Sequence, residues 1–118
     1  MLLPAILGTV GALSIGAASA SADCVNDHAC FYRFSDFQGS PVITVNNSPD
    51  QEWLEIAPGY PGVSFDSMRN KFDHRKVKAA IKTGGQIDFI RCIPAGGNRD
   101  DFGVQVTWYF VGQVGSTC

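Results

Sequence analysis

The chain is predicted to be a single small all-β domain, a sandwich of short strands, following an exported leader. Three observations predict it. Short runs alternate apolar and polar side chains, most cleanly in Lys76-Val77-Lys78-Ala79-Ala80-Ile81-Lys82. These runs are separated by Gly, Pro and Asn turns such as Pro58-Gly59-Tyr60-Pro61-Gly62 and Gly84-Gly85, the spacing of a β-sandwich or barrel. No long helical period appears beyond residue 22, and 118 residues make one domain the default.

Residues 1–22 carry no charge and are rich in Leu, Ile, Val, Ala, Gly and Ser. An apolar core over 2–17 runs into Ala18-Ser19-Ala20 and Ala20-Ser21-Ala22, which both fit a small-x-small cleavage rule. The expectation is a signal peptide over 1–22, cleavage after Ala22, and a domain over 23–118. No Lys or Arg opens the leader; a start codon assigned too far downstream would explain that. The alternative is an anchor helix, marginal against a hydrocarbon core of ~30 Å and weakened by its late small residues. The domain then has 96 residues and four cysteines, Cys24, Cys30, Cys92 and Cys118. In a secreted chain of this size they read as two disulfides.

The domain opens on Cys24-Val25-Asn26-Asp27-His28-Ala29-Cys30, a polar, turn-like loop. A bridge across it would fix the entry of the next strand. In Cys30-Phe31-Tyr32-Arg33-Phe34, residues 30, 32 and 34 share one face and 31 and 33 the other. Ser35-Asp36-Phe37-Gln38-Gly39 turns the chain, with Gly39 free to take a positive φ. Phe37 is expected to fold back against Tyr32. A second strand follows over 41–45, then the loop Asn46-Asn47-Ser48-Pro49-Asp50, which holds a glycosylation sequon at Asn46. Residues 52–57 are ambiguous between a strand and a helical turn, and 63–68 lead into a short strand or an irregular crossing.

In the run 76–82, Val77, Ala79 and Ile81 are expected inward and Lys76, Lys78 and Lys82 outward, where the lysines discourage edge pairing. Residues 86–93 form another strand, apolar on both faces near Phe89-Ile90. The loop 94–101 has the most flexible composition in the chain. Val104, Val106, Trp108 and Phe110 are expected to share a face of the last strand.

A net charge of −2 argues against a general nucleic-acid binder. It also hides an asymmetry. Seven acids against Arg33 alone fill 23–66, whereas Arg69, Lys71, Arg75, Lys76, Lys78 and Lys82 stand against Asp73 in 69–82. Those six bases are either a solvated strand face or a docking patch for an anionic partner. No Gly-x-Ser-x-Gly, His-Glu-x-x-His or phosphate-binding glycine loop occurs. His28 and His74 read as surface residues, and Glu52 and Glu55 as exposed acids near a turn. The expectation is a non-enzymatic, monomeric binding protein.

Tyr32-x-x-x-x-Phe37-x-Gly39 resembles the aromatic hairpin signature of a βγ-crystallin Greek-key motif. With Cys24-x5-Cys30 directly before it, the chain resembles the secreted actinobacterial members of peptidase inhibitor family I36, the Streptomyces metalloproteinase inhibitor-like proteins. The resemblance is carried by residues 24–45, and the second half has no aromatic hairpin of its own. It implies a βγ-crystallin-like Greek-key sandwich that binds a secreted, thermolysin-like metallopeptidase. It implies a Cys24–Cys30 bridge, which leaves Cys92 to pair with Cys118. In the type member the inhibitory bond follows a cysteine and precedes a bulky apolar residue, and the equivalent here is Cys92-Ile93. No cofactor is implied. Asn46-Asn47 and Asp100-Asp101 lack the hydroxyl pair of the crystallin calcium motif, and two adjacent acids fall short of the 6–8 oxygens calcium takes. The alternative is a killer-toxin-like or envelope-binding crystallin module that uses the six bases on an anionic cell surface.

Overall fold

The structure is a computed structural model that describes residues 24–46 and 51–118. The expected signal peptide lies outside these residues, as do Asn47 and Asp50 of the loop after the second strand. Among the described residues the chain is all-β. Eight strands follow in order: β1 (Ala29–Tyr32), β2 (Ile43–Val45), β3 (Leu54–Glu55), β4 (Ser67–Asn70), β5 (Val77–Thr83), β6 (Gln86–Ile93), β7 (Asn98–Arg99) and β8 (Trp108–Val111). They form two four-stranded antiparallel sheets, ordered β2-β1-β4-β7 and β3-β8-β5-β6. The first sheet takes three strands from the first half of the chain and β7 from the second. The second sheet takes three from the second half and β3 from the first, so the two orders match under a shift of four strands.

The core lies between the sheets. Ala29, Phe31 and Met68 come from the first, and Val77, Ala79, Ile93, Tyr109 and Val111 from the second. Phe31 sits at their junction, with its ring centroid 6.2 Å from that of Phe65 and 5.8 Å from that of Tyr109. Phe102 and Val106 complete the packing from the loops. Burial of a large aromatic side chain here contributes on the order of 2–3 kcal/mol.

Polar Asn70 is fully buried among these residues. Its amide nitrogen donates to the carbonyls of Arg75 (2.9 Å), Ile93 (3.1 Å) and Pro94 (3.1 Å), and its side-chain oxygen accepts from the Phe72 amide at 3.0 Å. A buried amide is tolerated only with such partners. These bonds tie the end of β4 to the start of β5 and the end of β6.

Several local expectations are corrected. Phe34 does not continue β1 on the Tyr32 face. It bridges to Gln38 and is 53% exposed, because its ring edge fills the space where a Gly39 Cβ would stand 2.5 Å away. The alternation in β5 ends early. A bulge sets Phe89 and Ile90 of β6 against Ala80, and Ala80, paired with Trp108, is fully buried on the face away from the core. The loop 94–101 contains β7, which pairs with β4, and is turned by a Gly97 amide bond to the Pro94 carbonyl. Val106 and Trp108 do not share a face. Val106 and Tyr109 both enter the core, so the alternation changes phase near Thr107, whose amide donates to the Ala80 carbonyl.

Candidate functional site

The aromatic hairpin is the first assembled feature. The Tyr32 and Phe37 rings meet edge to face, with centroids 5.6 Å apart and planes at 77°. Gly39 has φ of 97°, outside the range of ordinary residues. Asp36 and Phe37 also have positive φ, 57° and 61°, costly for a bulky residue. The hairpin is held in that shape by Ser67, which accepts from the Phe37 amide (3.1 Å) and donates to the Phe34 carbonyl (2.6 Å). Arg69 closes the stack, its guanidinium carbon 3.8 Å from the Phe37 ring centroid. A Cys24–Cys30 disulfide covers the neighbouring part of this outer face, which is why all four residues of β1 are buried although only alternate ones face the core. Sequence reasoning missed Ser67, and it read Arg69 as one of a basic run and not as a partner of the hairpin. Nothing local marks them, since both act on a hairpin some thirty residues away.

The six bases do not form one patch. Arg69 is stacked on Phe37 outside the first sheet, and the Lys71 backbone pairs with the Cys24–Cys30 loop. Arg75 lines a cavity of about 270 Å³ together with Asp27, Phe72, Asp73, His74 and Val114. Lys76 donates to the Thr117 carbonyl at 2.8 Å. Lys78 and Lys82 lie over Phe110 and Trp108, their nitrogens 5.3 Å and 4.2 Å from the ring centroids. The chain passes from the first sheet to the second within 69–82, so Arg69 separates from Lys76 and Lys78, which line one pocket with Phe110.

Cys92 is bonded to Cys118. The Cys92-Ile93 bond lies at the end of β6, with Ile93 opposite Val77 and 1% exposed. Its apolar side chain belongs to the core, so this bond is not presented to a peptidase pocket. The sequence-based assignment of the inhibitory bond is corrected on that ground.

The outer face of the second sheet is apolar and basic instead. Trp108 and Phe110 alternate with core-facing Tyr109 and Val111, and the Trp53 ring is 5.4 Å from that of Phe110. At the free edge of this sheet Phe89 and Ile90 are 58% and 48% exposed, and Phe89 has φ of 54°. The apolar run Phe89-Ile90 was visible in the sequence, but its exposure follows only from the bulge.

His28 donates from Nδ1 to the Asn26 carbonyl at 2.8 Å, and His74 lines the 270 Å³ cavity. Asp66 has its carboxyl pushed above the usual 3.8, first by burial and then by the charge of Asp101. Asp101 itself accepts from the Gly103 amide at 2.8 Å. Among the described residues, no three His, Cys, Asp or Glu side chains are grouped to hold a metal ion. Compared with known proteins, the chain matches no family model, no curated protein and no solved structure.

Proposed function

We propose that the chain is an exported binding protein, stiffened by two disulfides, that inhibits a thermolysin-like metallopeptidase, and that its sheets are a βγ-crystallin-like pair of Greek keys. The observation that carries the reading is the hairpin: a closed Cys24–Cys30 loop leads into a Tyr32–Phe37 ring contact and a Gly39 at positive φ, the residues on which the family resemblance rests. The repeated strand order, with one strand exchanged between halves, supports the paired-key reading. Two disulfides in a small domain are compatible with export. A stiff scaffold suits an inhibitor because little ordering entropy is lost on binding. Titration of a thermolysin-like peptidase with purified protein is expected to bring peptide hydrolysis to a floor near one equivalent. Full activity across a panel of secreted metallopeptidases would refute the reading. The envelope-binding alternative retains Lys78 and Lys82 beside aromatic rings but loses a continuous patch. Binding to anionic cell walls that falls with added salt would favour it.

A further inference from the structure

We propose that the pocket where β5 and β8 meet the loop 112–118, on the outer face of the second sheet, binds an acidic sugar residue. Lys76 and Lys78 would hold its carboxylate and Phe110 its ring. The inference goes beyond the inhibitor reading and does not depend on it. The pocket has a volume of about 290 Å³, at the lower end of small-molecule sites and suited to a single ring.

Register builds the pocket. Lys78 is opposite Phe110, and Lys76 stands two residues earlier on the same face. Gly112 donates to the Lys76 carbonyl at 2.9 Å, which carries the pairing one residue past β5. A Cβ at Gly112 would stand 2.9 Å from Lys76 Cγ and would collide with the Ser116 hydroxyl. Glycine is therefore what lets Ser116 and the Lys76 stem close one end of the pocket. The wall is pinned before any ligand arrives. Lys76 Nζ donates to the Thr117 carbonyl at 2.8 Å, and the Ser116 amide and hydroxyl both donate to the Gln113 carbonyl, at 3.0 Å and 2.6 Å. Cys118 is bonded to Cys92, the residue opposite Lys78 on its other side. A wall held in this way loses little freedom on binding.

The occupant follows from the chemistry of the lining. Two lysines line the pocket, and no acid is among the described residues that do so; the 270 Å³ cavity, by contrast, sets Asp27 and Asp73 beside Arg75. Glu55 is on this face, opposite Trp108 and two residues along β8 from Phe110, but does not line the pocket. The ligand is therefore an anion. An ammonium has three donors, so Lys76 keeps two beyond its bond to Thr117. The Lys78 nitrogen is 5.3 Å from the Phe110 ring centroid, so a ring resting on Phe110 has its charged substituent within reach of Lys78. Gln51 and Gln113 also line the pocket and are exposed. Their carboxamides both donate and accept, and the Ser116 oxygen can still accept. Hydroxyl groups match that set. A carboxylate, a ring with an apolar face and several hydroxyls together describe a uronic acid.

The test is titration of the oxidised protein, labelled with nitrogen-15, followed by amide chemical shifts. The probes are glucuronate, glucose, benzoate and inorganic phosphate. Glucuronate is expected to give saturable shifts at Lys78, Phe110 and Gln113, with a Kd on the order of 1 mM. Glucose lacks the carboxylate and benzoate the hydroxyls, and each is expected to bind at least ~10-fold more weakly. Lys78→Gln is expected to weaken glucuronate ~10-fold, whereas Lys82→Gln, outside the pocket, leaves it unchanged. Gly112→Ala is expected to abolish binding by filling the closed end. Near-ultraviolet circular dichroism and intact mass check the fold and both disulfides. Should Gly112→Ala not fold, Lys78→Gln carries the test. The absence of saturable shifts with glucuronate overturns the proposal. So does phosphate, benzoate or glucose binding as tightly as glucuronate, and so does a folded Lys78→Gln variant that binds glucuronate like wild type.

Discussion

Replacing Phe37 with Ala tests the stack that organises the first hairpin. The change removes an edge-to-face contact with Tyr32 at 5.6 Å and the ring under the Arg69 guanidinium at 3.8 Å. The first is worth about 0.5–1.5 kcal/mol and the second about 0.5–2 kcal/mol. Together they predict a loss of about 2 kcal/mol. With a urea m-value of about 1–3 kcal/mol/M, the midpoint falls by about 1 M. Phe37→Gly separates packing from backbone. Glycine lacks the Cβ that makes φ of 61° costly, a relief of about 1–2 kcal/mol. The glycine variant is therefore expected to be the more stable of the two by about 1 kcal/mol, although glycine ordinarily ranks below alanine. Equilibrium unfolding of the oxidised proteins, followed by circular dichroism, measures both. An alanine variant within about 0.5 kcal/mol of wild type would refute the assignment of energy to the stack. A glycine variant less stable than alanine would refute the strain argument.

Two further predictions concern polar groups that the fold buries wholly, at Asn70, or in part, at Asp66. Asn70→Ala leaves the Ile93 carbonyl and the Phe72 amide without their side-chain partner, and is expected to cost about 3 kcal/mol or more in the same assay. Asn70→Asp does not rescue it, since a carboxylate would face the carbonyls of Arg75, Ile93 and Pro94; rescue by Asp would overturn the donor assignment. Asp66 has its pKa raised by burial and then by Asp101, so folding favours the protonated form. That contribution is present below the unfolded value near 3.8 and is lost as pH rises through the folded value. Asp66→Asn is therefore expected to raise the melting temperature at pH 7, and the gain is expected to shrink as the pH falls toward 3.8. A lower melting temperature at pH 7 would contradict this sign.

Local patterns were legible and long-range pairings were not. The Tyr32–Phe37 contact and the strand over 86–93 followed from spacing, because hairpin geometry is set by neighbours in the chain. Val77 and Ala79 point inward as alternation requires. Ile81 is only half-buried, and the bulge opposite Ala80 depends on a partner strand that no period of two reveals. The two-residue strand β7 was unreadable in the same sense, and β3 was ambiguous between a strand and a helical turn, since Asn98-Arg99 and Leu54-Glu55 become strands only by pairing with β4 and β8. Resemblance pointed to Cys92-Ile93 by residue type, whereas register sets Ile93 opposite Val77 in the core. Asn70 carried no signal, for its value lies in carbonyls from two later segments.

The exchange of β3 and β7 ties the fate of each half to the other. A fragment ending before β5 would lack β7 and leave the open side of β4 bare, and the complementary fragment would leave β8 without β3. Neither half is a smaller protein in its own right. Folding must bring distant parts of the chain together before either layer is complete, which makes it slow and all-or-none. A nick between the halves would produce two pieces that each carry the other's missing edge.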